Sequence, residues 1–184
     1  THADYDHIQG FHGLQALNPD LCLRIHRADL PVVREPNAYR TASYVYGRPY
    51  VRLEDGCLLP FDPGDTIAVG DGSLEVIATP GHTEGSVCLL GEIDGRKVLF
   101  AGDTVGGAMR SLDGASIEAW VEAAQAWTAS LRLLSGREFD WVLSGHEPPT
   151  SLPITRERFD RMVRRFGTML NPWFSIGERS PSPA

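Results

Sequence analysis

With 184 residues, a formal net charge of −7 and a pI near 5.3, the chain is long enough to bury one sizeable core. It is too acidic to offer the basic surface that nucleic-acid binding requires. No apolar stretch approaches the roughly 20 residues of a membrane span, so the expected partner is a small-molecule substrate, with no nucleic acid and no membrane. Three cysteines, Cys22, Cys57 and Cys88, are odd in number and widely spaced. They read as small packing residues in a reducing, cytoplasmic setting rather than as a disulfide framework or a thiolate metal site.

In chain order, Ile8 to Leu17 reads as one short helix ended by Asn18-Pro19, and Leu21 to His26 as a strand. Arg27 to Gly64 carries five prolines with interleaved Tyr39, Tyr44, Tyr46 and Tyr50, and reads as a long, partly ordered insertion that supplies substrate contacts. Short strands follow at Thr66 to Val69, Leu74 to Ala78, Ser86 to Leu90 and Lys97 to Ala101, separated by Gly-containing turns. Ser116 to Leu134 is the clearest helix. Ser116 is its cap, and Ile117, Trp120, Val121, Ala124, Trp127, Leu131 and Leu134 trace its apolar face. Trp141 to Ser144 reads as a buried strand. Thr155 to Leu170 reads as a second amphipathic helix, with Phe159, Met162, Val163 and Phe166 inward and Arg156, Arg158, Arg161, Arg164 and Arg165 on a solvated face. Residues 1–176 read as one domain and 177–184 as a disordered tail.

The chemistry-bearing residues gather at the beginning, in Thr1-His2-Ala3-Asp4-Tyr5-Asp6-His7, and recur at His82, Asp103 and His146. Imidazoles and carboxylates collected this way are costly to desolvate unless a cation binds them. Each later member follows an apolar run that stops near a glycine: Thr79-Pro80-Gly81-His82-Thr83-Glu84-Gly85-Ser86, Leu99-Phe100-Ala101-Gly102-Asp103-Thr104 and Val142-Leu143-Ser144-Gly145-His146. Ligands at strand ends converge on one sheet edge. Taken singly, each motif also reads as an ordinary turn or helix cap; taken together and in order, they are far more specific.

From Thr1 to about Pro149 this pattern resembles the metallo-β-lactamase superfamily, with its HxHxDH loop, the His of TPGHTxGS, a Gly-Asp and a last Gly-His. The resemblance implies an α+β fold, a four-layer αββα sandwich, missing its N-terminal strands because the ligand loop begins at residue 2. The segment from Thr1 is then expected to lack neighbours in its sheet. In an extended loop, residues two apart point the same way, so His2 and Asp4 reach one metal while Asp6 and His7, after the chain turns, reach another. By resemblance His82 completes the first site, His146 the second, and Asp103 bridges them. Two divalent metal ions per chain are expected, zinc by family. A bridging hydroxide is the implied nucleophile, with Asp6 and Asp103 the catalytic candidates.

The chain departs from HxHxDH at Asp4, where the pattern has its second His. A carboxylate makes the site harder and moves its preference toward iron or manganese. The expected function is a metal-dependent hydrolase of an ester, thioester, lactone or phosphoester bond. The alternatives are a di-iron oxidoreductase resembling the flavodiiron core, for which no flavin partner domain has room, and a non-catalytic, metal-free binding module. Glyoxalase II is disfavoured because its helical extension has no room after His146. His12 and His26 read as structural, Tyr5 as a pocket wall or a packing residue, and Arg110 as an anion-steering or salt-bridging residue.

Overall fold

The computed structural model describes residues 1–107, 116–146 and 153–169. Arg110, the side chain of Phe166 and the tail 177–184 lie outside the described residues. Among the described residues eight strands and five α-helices follow one another as α1 (Tyr5–Ile8), α2 (Phe11–Leu17), β1 (Leu23–His26), α3 (Leu30–Arg34), β2 (Leu58–Phe61), β3 (Thr66–Val69), β4 (Gly72–Ala78), β5 (Val87–Ile93), β6 (Arg96–Gly102), α4 (Ile117–Ser135), β7 (Trp141–Ser144), β8 (Ile154–Thr155) and α5 (Arg156–Met169).

Strands β3 to β8 form one sheet in sequence order, antiparallel throughout except for the parallel β6–β7 pair. The period-2 pleat sends alternate residues to opposite faces. Ile77, Cys88, Leu99 and Ala101 face α4 and α5, in a core with Trp127, Leu131, Leu134 and Phe159. Val76 and Val87 face the other way, onto Phe61 of β2. Beyond them β1 and β2, paired in parallel, pack with Ile8, Phe11, Leu30, Val32 and Val33 of the short helices. The layers are helix, sheet, sheet, helix: the αββα order that the resemblance implies.

Four local expectations are corrected. The helix expected from Ile8 to Leu17 is two, α1 and α2, broken at Gln9-Gly10. Asp4 sits at the N-cap position of α1 with extended backbone, yet makes no capping hydrogen bond, because its carboxylate is turned toward His82. The insertion at 27–64 is ordered: it holds α3, β2 and three 3-10 turns, and its Leu53 and Val33 are among the most buried side chains. The segment from Thr1 is supported. The Val87 N–H donates to the Thr1 carbonyl at 2.9 Å and the Tyr5 N–H to the Thr41 carbonyl at 2.8 Å, and His2, Ala3 and Asp4 are all buried.

The fourth correction concerns the long helices. Ser116 caps α4 as expected, accepting from the Ala119 N–H at 3.2 Å. However, only the second half of its apolar face is buried; Ile117 and Val121 are exposed. On the other side of the helix, Ala119, Ala123 and Ala126 border a cleft of about 460 Å³ shared with the 80–84 loop and α3. On α5, Phe159 is buried with Met162 and Val163 against it, and Arg161 pairs with Glu157 on the outer face. Arg156 is not on that face. Its guanidinium lies 4.9 Å over the Phe139 ring and donates to the carbonyls of Ser135 and Arg137, tying α5 to the end of α4.

Candidate metal centre

Strands β4, β6 and β7 all run the same way: β4 and β6 are each antiparallel to β5, and β7 is parallel to β6. Their C-terminal ends therefore share one edge, and the chain leaves that edge at Thr79, Asp103 and Gly145. A register shift between Phe100 and Gly102 re-aims the end of β6. The Gly145 N–H then bonds the Gly102 carbonyl at 3.0 Å, which sets His146 beside Asp103. Gly145 must be glycine, since a Cβ there would lie 2.8 Å from both Asp103 Oδ1 and His7 Cε1. The Thr1 to His7 segment arrives along the start of β5.

All seven sequence-expected residues meet at this edge. His2, Asp4 and His82 form one group whose ligand atoms lie within 4.8 Å of one another, and Asp6, His7 and His146 form a second. Asp4 Oδ2 is 3.1 Å from His82 Nε2 and 3.5 Å from His2 Nε2. Asp6 Oδ2 is 3.3 Å from His146 Nε2 and 3.6 Å from His7 Nε2. Asp103 lies between the groups. Its Oδ1 is 3.1 Å from His7 Nε2, and its Oδ2 is 3.1 Å from His146 Nε2 and 3.4 Å from His82 Nε2.

The donor set fits a cation pair. His2 Nε2 is buried and makes no hydrogen bond of acceptable geometry, while the other ring nitrogen, Nδ1, is 3.2 Å from Thr1 Oγ1. The ring is thus held with its second nitrogen aimed into the cluster. His7 Nε2 and His146 Nε2 face each other at 3.4 Å, close enough to serve one cation together with Asp6. Burial pulls His2 down to about 4, only partly opposed by Asp4, so the ring is a neutral donor near pH 7. Burial raises the Asp103 carboxyl, but the approach of His7 and the imidazoles of His82 and His2 outweigh it and hold it at about 2. Three carboxylates this close repel one another unless a cation lies among them.

Exposure grades across the cluster. The His2 and Asp4 side chains are 1% and 5% exposed, whereas Asp6 is 21% and His146 46% exposed. The second group is the open side.

Several supporting residues were not found from the sequence. Asp29, 2% exposed, lays its carboxylate against the Cα of Gly85, where a Cβ would lie 2.2 Å from its Cγ. It thereby braces the loop that carries His82. Trp127 donates its indole N–H to the Thr104 carbonyl at 2.8 Å and meets the His82 ring edge-on at 5.7 Å. Gly81, at φ +142°, lets α4 pass so close that a Cβ would lie 2.4 Å from Trp127 Cα. Tyr46, from the insertion, stacks on Tyr5 with centroids 5.2 Å apart. Desolvation, a hydrogen bond to Asp6 and the charges of Asp6, Asp103 and Asp4 push its phenol up to about 12. Periodicity signals none of these, because each is a contact between distant segments; only the tyrosine-rich composition of the insertion hinted at the last.

His12 and His26 lie outside the cluster as expected. His12 Nε2 is 3.3 Å from the Val51 carbonyl, and His26 packs on Phe61. Cys88 is fully buried, and burial pushes its thiol up to about 11.

Residues 1–146 match the model of the metallo-beta-lactamase superfamily; the chain belongs to that superfamily. Among curated proteins it is 29% identical over 118 residues to the acyl-coenzyme A thioesterase MBLAC2 of Gallus gallus, covering 57% of this chain and 40% of that protein. Over 47 residues it is 47% identical to the hydroxyacylglutathione hydrolase of Hahella chejuensis, covering 26% of this chain and 18% of that protein. The chain thus spans well under two thirds of the length of either. In fold it is similar to the FEZ-1 metallo-beta-lactamase of Legionella gormanii, with a TM-score of 0.71 at 14% identity, covering 92% of this chain and 72% of that one. Among the described residues no helix is long and apolar enough to cross a membrane.

Proposed function

We propose that the chain is a metal-dependent acyl hydrolase that cleaves a thioester or related ester of a small substrate. The observation that carries this reading is the placement of Asp103 between the two groups, one carboxylate oxygen 3.1 Å from His7 and the other 3.1 Å from His146. His2, Asp4 and His82 would hold one divalent cation, Asp6, His7 and His146 the other, with Asp103 shared. Bound there, the pair would lower the pKa of a shared water and polarise the scissile carbonyl.

The chain's own residues do the rest. Thr1 fixes the His2 ring, Asp29 and Trp127 fix the approach of His82, and Gly145 leaves room for Asp103 beside His7. Because His146 and Asp6 form the open side, the carbonyl enters over the second group. A thioester suits such a site: thiols, with pKa values of about 8.5, leave readily near neutral pH and need little help from a proton donor. The similarity to an acyl-coenzyme A thioesterase and to a hydroxyacylglutathione hydrolase supports the same bond.

A di-iron oxidoreductase is the second reading, favoured by Asp4, whose carboxylate adds oxygen to the first group. Elemental analysis, followed by thioester, ester, lactone and phosphodiester substrates, tests both. The hydrolase reading expects two divalent ions per chain and thioester turnover that is lost to a chelator and restored by zinc. Iron with oxygen-dependent electron transfer and no hydrolysis would favour the second. A metal-free, inactive chain would instead mark a binding module on the same fold.

A further inference from the structure

We infer that residues 37–47 form an aromatic ledge that seats a neutral, apolar acyl group of the substrate, with Tyr39, Tyr44 and Tyr46 as its specificity-determining residues. This rests on the acyl-hydrolase reading above.

The ledge is built rather than loose. Asn37 Oδ1 accepts from the N–H groups of Tyr39 at 2.9 Å and Arg40 at 3.4 Å, and the Asn37 carbonyl accepts from Thr41 N at 3.0 Å and Thr41 Oγ1 at 2.9 Å. A 3-10 turn, Ser43–Tyr46, follows between two left-handed residues, Ala42 at φ 55° and Gly47 at φ 57°. A non-glycine residue holds that conformation only where its surroundings enforce it, and such strain gathers at ligand-binding segments. Here the neighbours Thr41 and Ser43 are both buried, and Ala42 donates to the Tyr39 carbonyl at 3.3 Å and accepts from the Val45 N–H at 3.1 Å. Thr41 is also the residue whose carbonyl takes the Tyr5 N–H, one position before Asp6.

The same strained segment thus clamps the ligand loop and holds its aromatic rings outside. Tyr46 lies stacked on Tyr5 and reaches Asp6 on the open side of the cluster. Tyr44 packs on Tyr39, centroids 5.1 Å apart. All three rings and Val45 are exposed, Tyr46 to 43%. Exposed apolar surface carried on one short segment that touches the reactive centre through Tyr46 is a binding feature. Aromatic rings with few rotamers present a preformed face to alkyl or aryl groups at low entropic cost. Tyr39, Tyr44, Val45 and Tyr46 carry no charge of their own, so the face they offer suits an acyl group without charge.

The test uses the full chain loaded with zinc and two independent readouts. One is kcat/KM for thioesters of a single thiol carrying acetyl, butyryl, octanoyl, benzoyl and succinyl groups. The other is calorimetric binding of the matching carboxylates, which needs no turnover. Octanoyl and benzoyl thioesters should exceed acetyl by about tenfold or more, equivalent to burying roughly two methylenes, and succinyl should be the poorest. Tyr44→Ser and Tyr39→Ser, at unchanged metal content, should lower the octanoyl value about tenfold more than the acetyl value and flatten the binding series. Tyr46→Phe, which keeps the ring, should keep the preference. A wild type indifferent to chain length, or variants that lose all substrates equally, would overturn the ledge. If no thioester is turned over but octanoate still binds more tightly than acetate, and Tyr44→Ser abolishes the difference, the ledge stands and the hydrolase reading falls. Absence of both turnover and length-dependent binding removes the ledge.

Discussion

Asp4 Oδ2 lies 3.1 Å from His82 Nε2, so a carboxylate stands in the first group where the superfamily pattern has an imidazole. The residue is at a helix N-cap yet forgoes the capping hydrogen bond, an interaction typically worth about 1 kcal/mol. Its side chain is committed to the cluster instead.

Asp4→Ala should therefore weaken the first cation site, while Asp4→His should restore it with a shift toward zinc, because imidazole is a softer, neutral donor. The site also gains one unit of positive charge, which moves the basic-side rise of the pH-rate profile to lower pH. Metal content and pH profiles are compared for the three proteins after reconstitution in equal iron, manganese and zinc. Identical uptake by all three would make Asp4 a bystander.

His146→Ala should remove the donor that Asp6 and His7 cannot replace. The expected result is loss of about one metal per chain and a fall in turnover beyond about 100-fold, since even outer partners of ligands cost 10- to 100-fold. Elemental analysis reads the first and steady-state kinetics the second. A full complement of metal in the variant would contradict the second group.

The pH dependence of the metal-free protein follows from His2. Burial depresses its pKa from 6.5 to about 4. Between those values the unfolded chain takes up a proton that the folded chain refuses, so stability is full above about pH 6.5 and is lost as pH falls toward 4. The gap corresponds to roughly 3 kcal/mol. Urea midpoints measured across this window should fall in the wild type and fall less in His2→Gln. Equal slopes would show that the His2 ring is not desolvated.

Gly81→Ala should be costly because of packing beside His82. The position has φ +142°, and the added Cβ would collide with the Trp127 backbone. Overpacking and backbone strain together predict a loss of about 2 to 4 kcal/mol, read from urea unfolding. If α4 shifts to make room, metal binding at the His82 group should weaken as well. A stability within about 0.5 kcal/mol of wild type would mean that α4 is not held against this loop.

The sequence by itself determined which residues meet. The apolar runs that end in Gly81-His82, Gly102-Asp103 and Gly145-His146 are local signals, and strands that end at glycine on one sheet edge leave little freedom in where the next residue goes. The two-residue spacing of His2 and Asp4 likewise assigned them apart from Asp6 and His7; the structure gathers His2, Asp4 and His82, gathers Asp6, His7 and His146, and also brings His2 together with His7 and Asp103. Tertiary structure decided what holds and surrounds them. The 27–64 segment has no period of 2 or 3.6, because its order comes from long-range partners: Thr41 with Tyr5, Tyr50 with Ala3, and Gln9 with Val51. The exposed first half of α4 escaped the sequence for the same reason, since an apolar stripe marks a face fit for burial and only the neighbouring layers decide how far along the helix that burial extends.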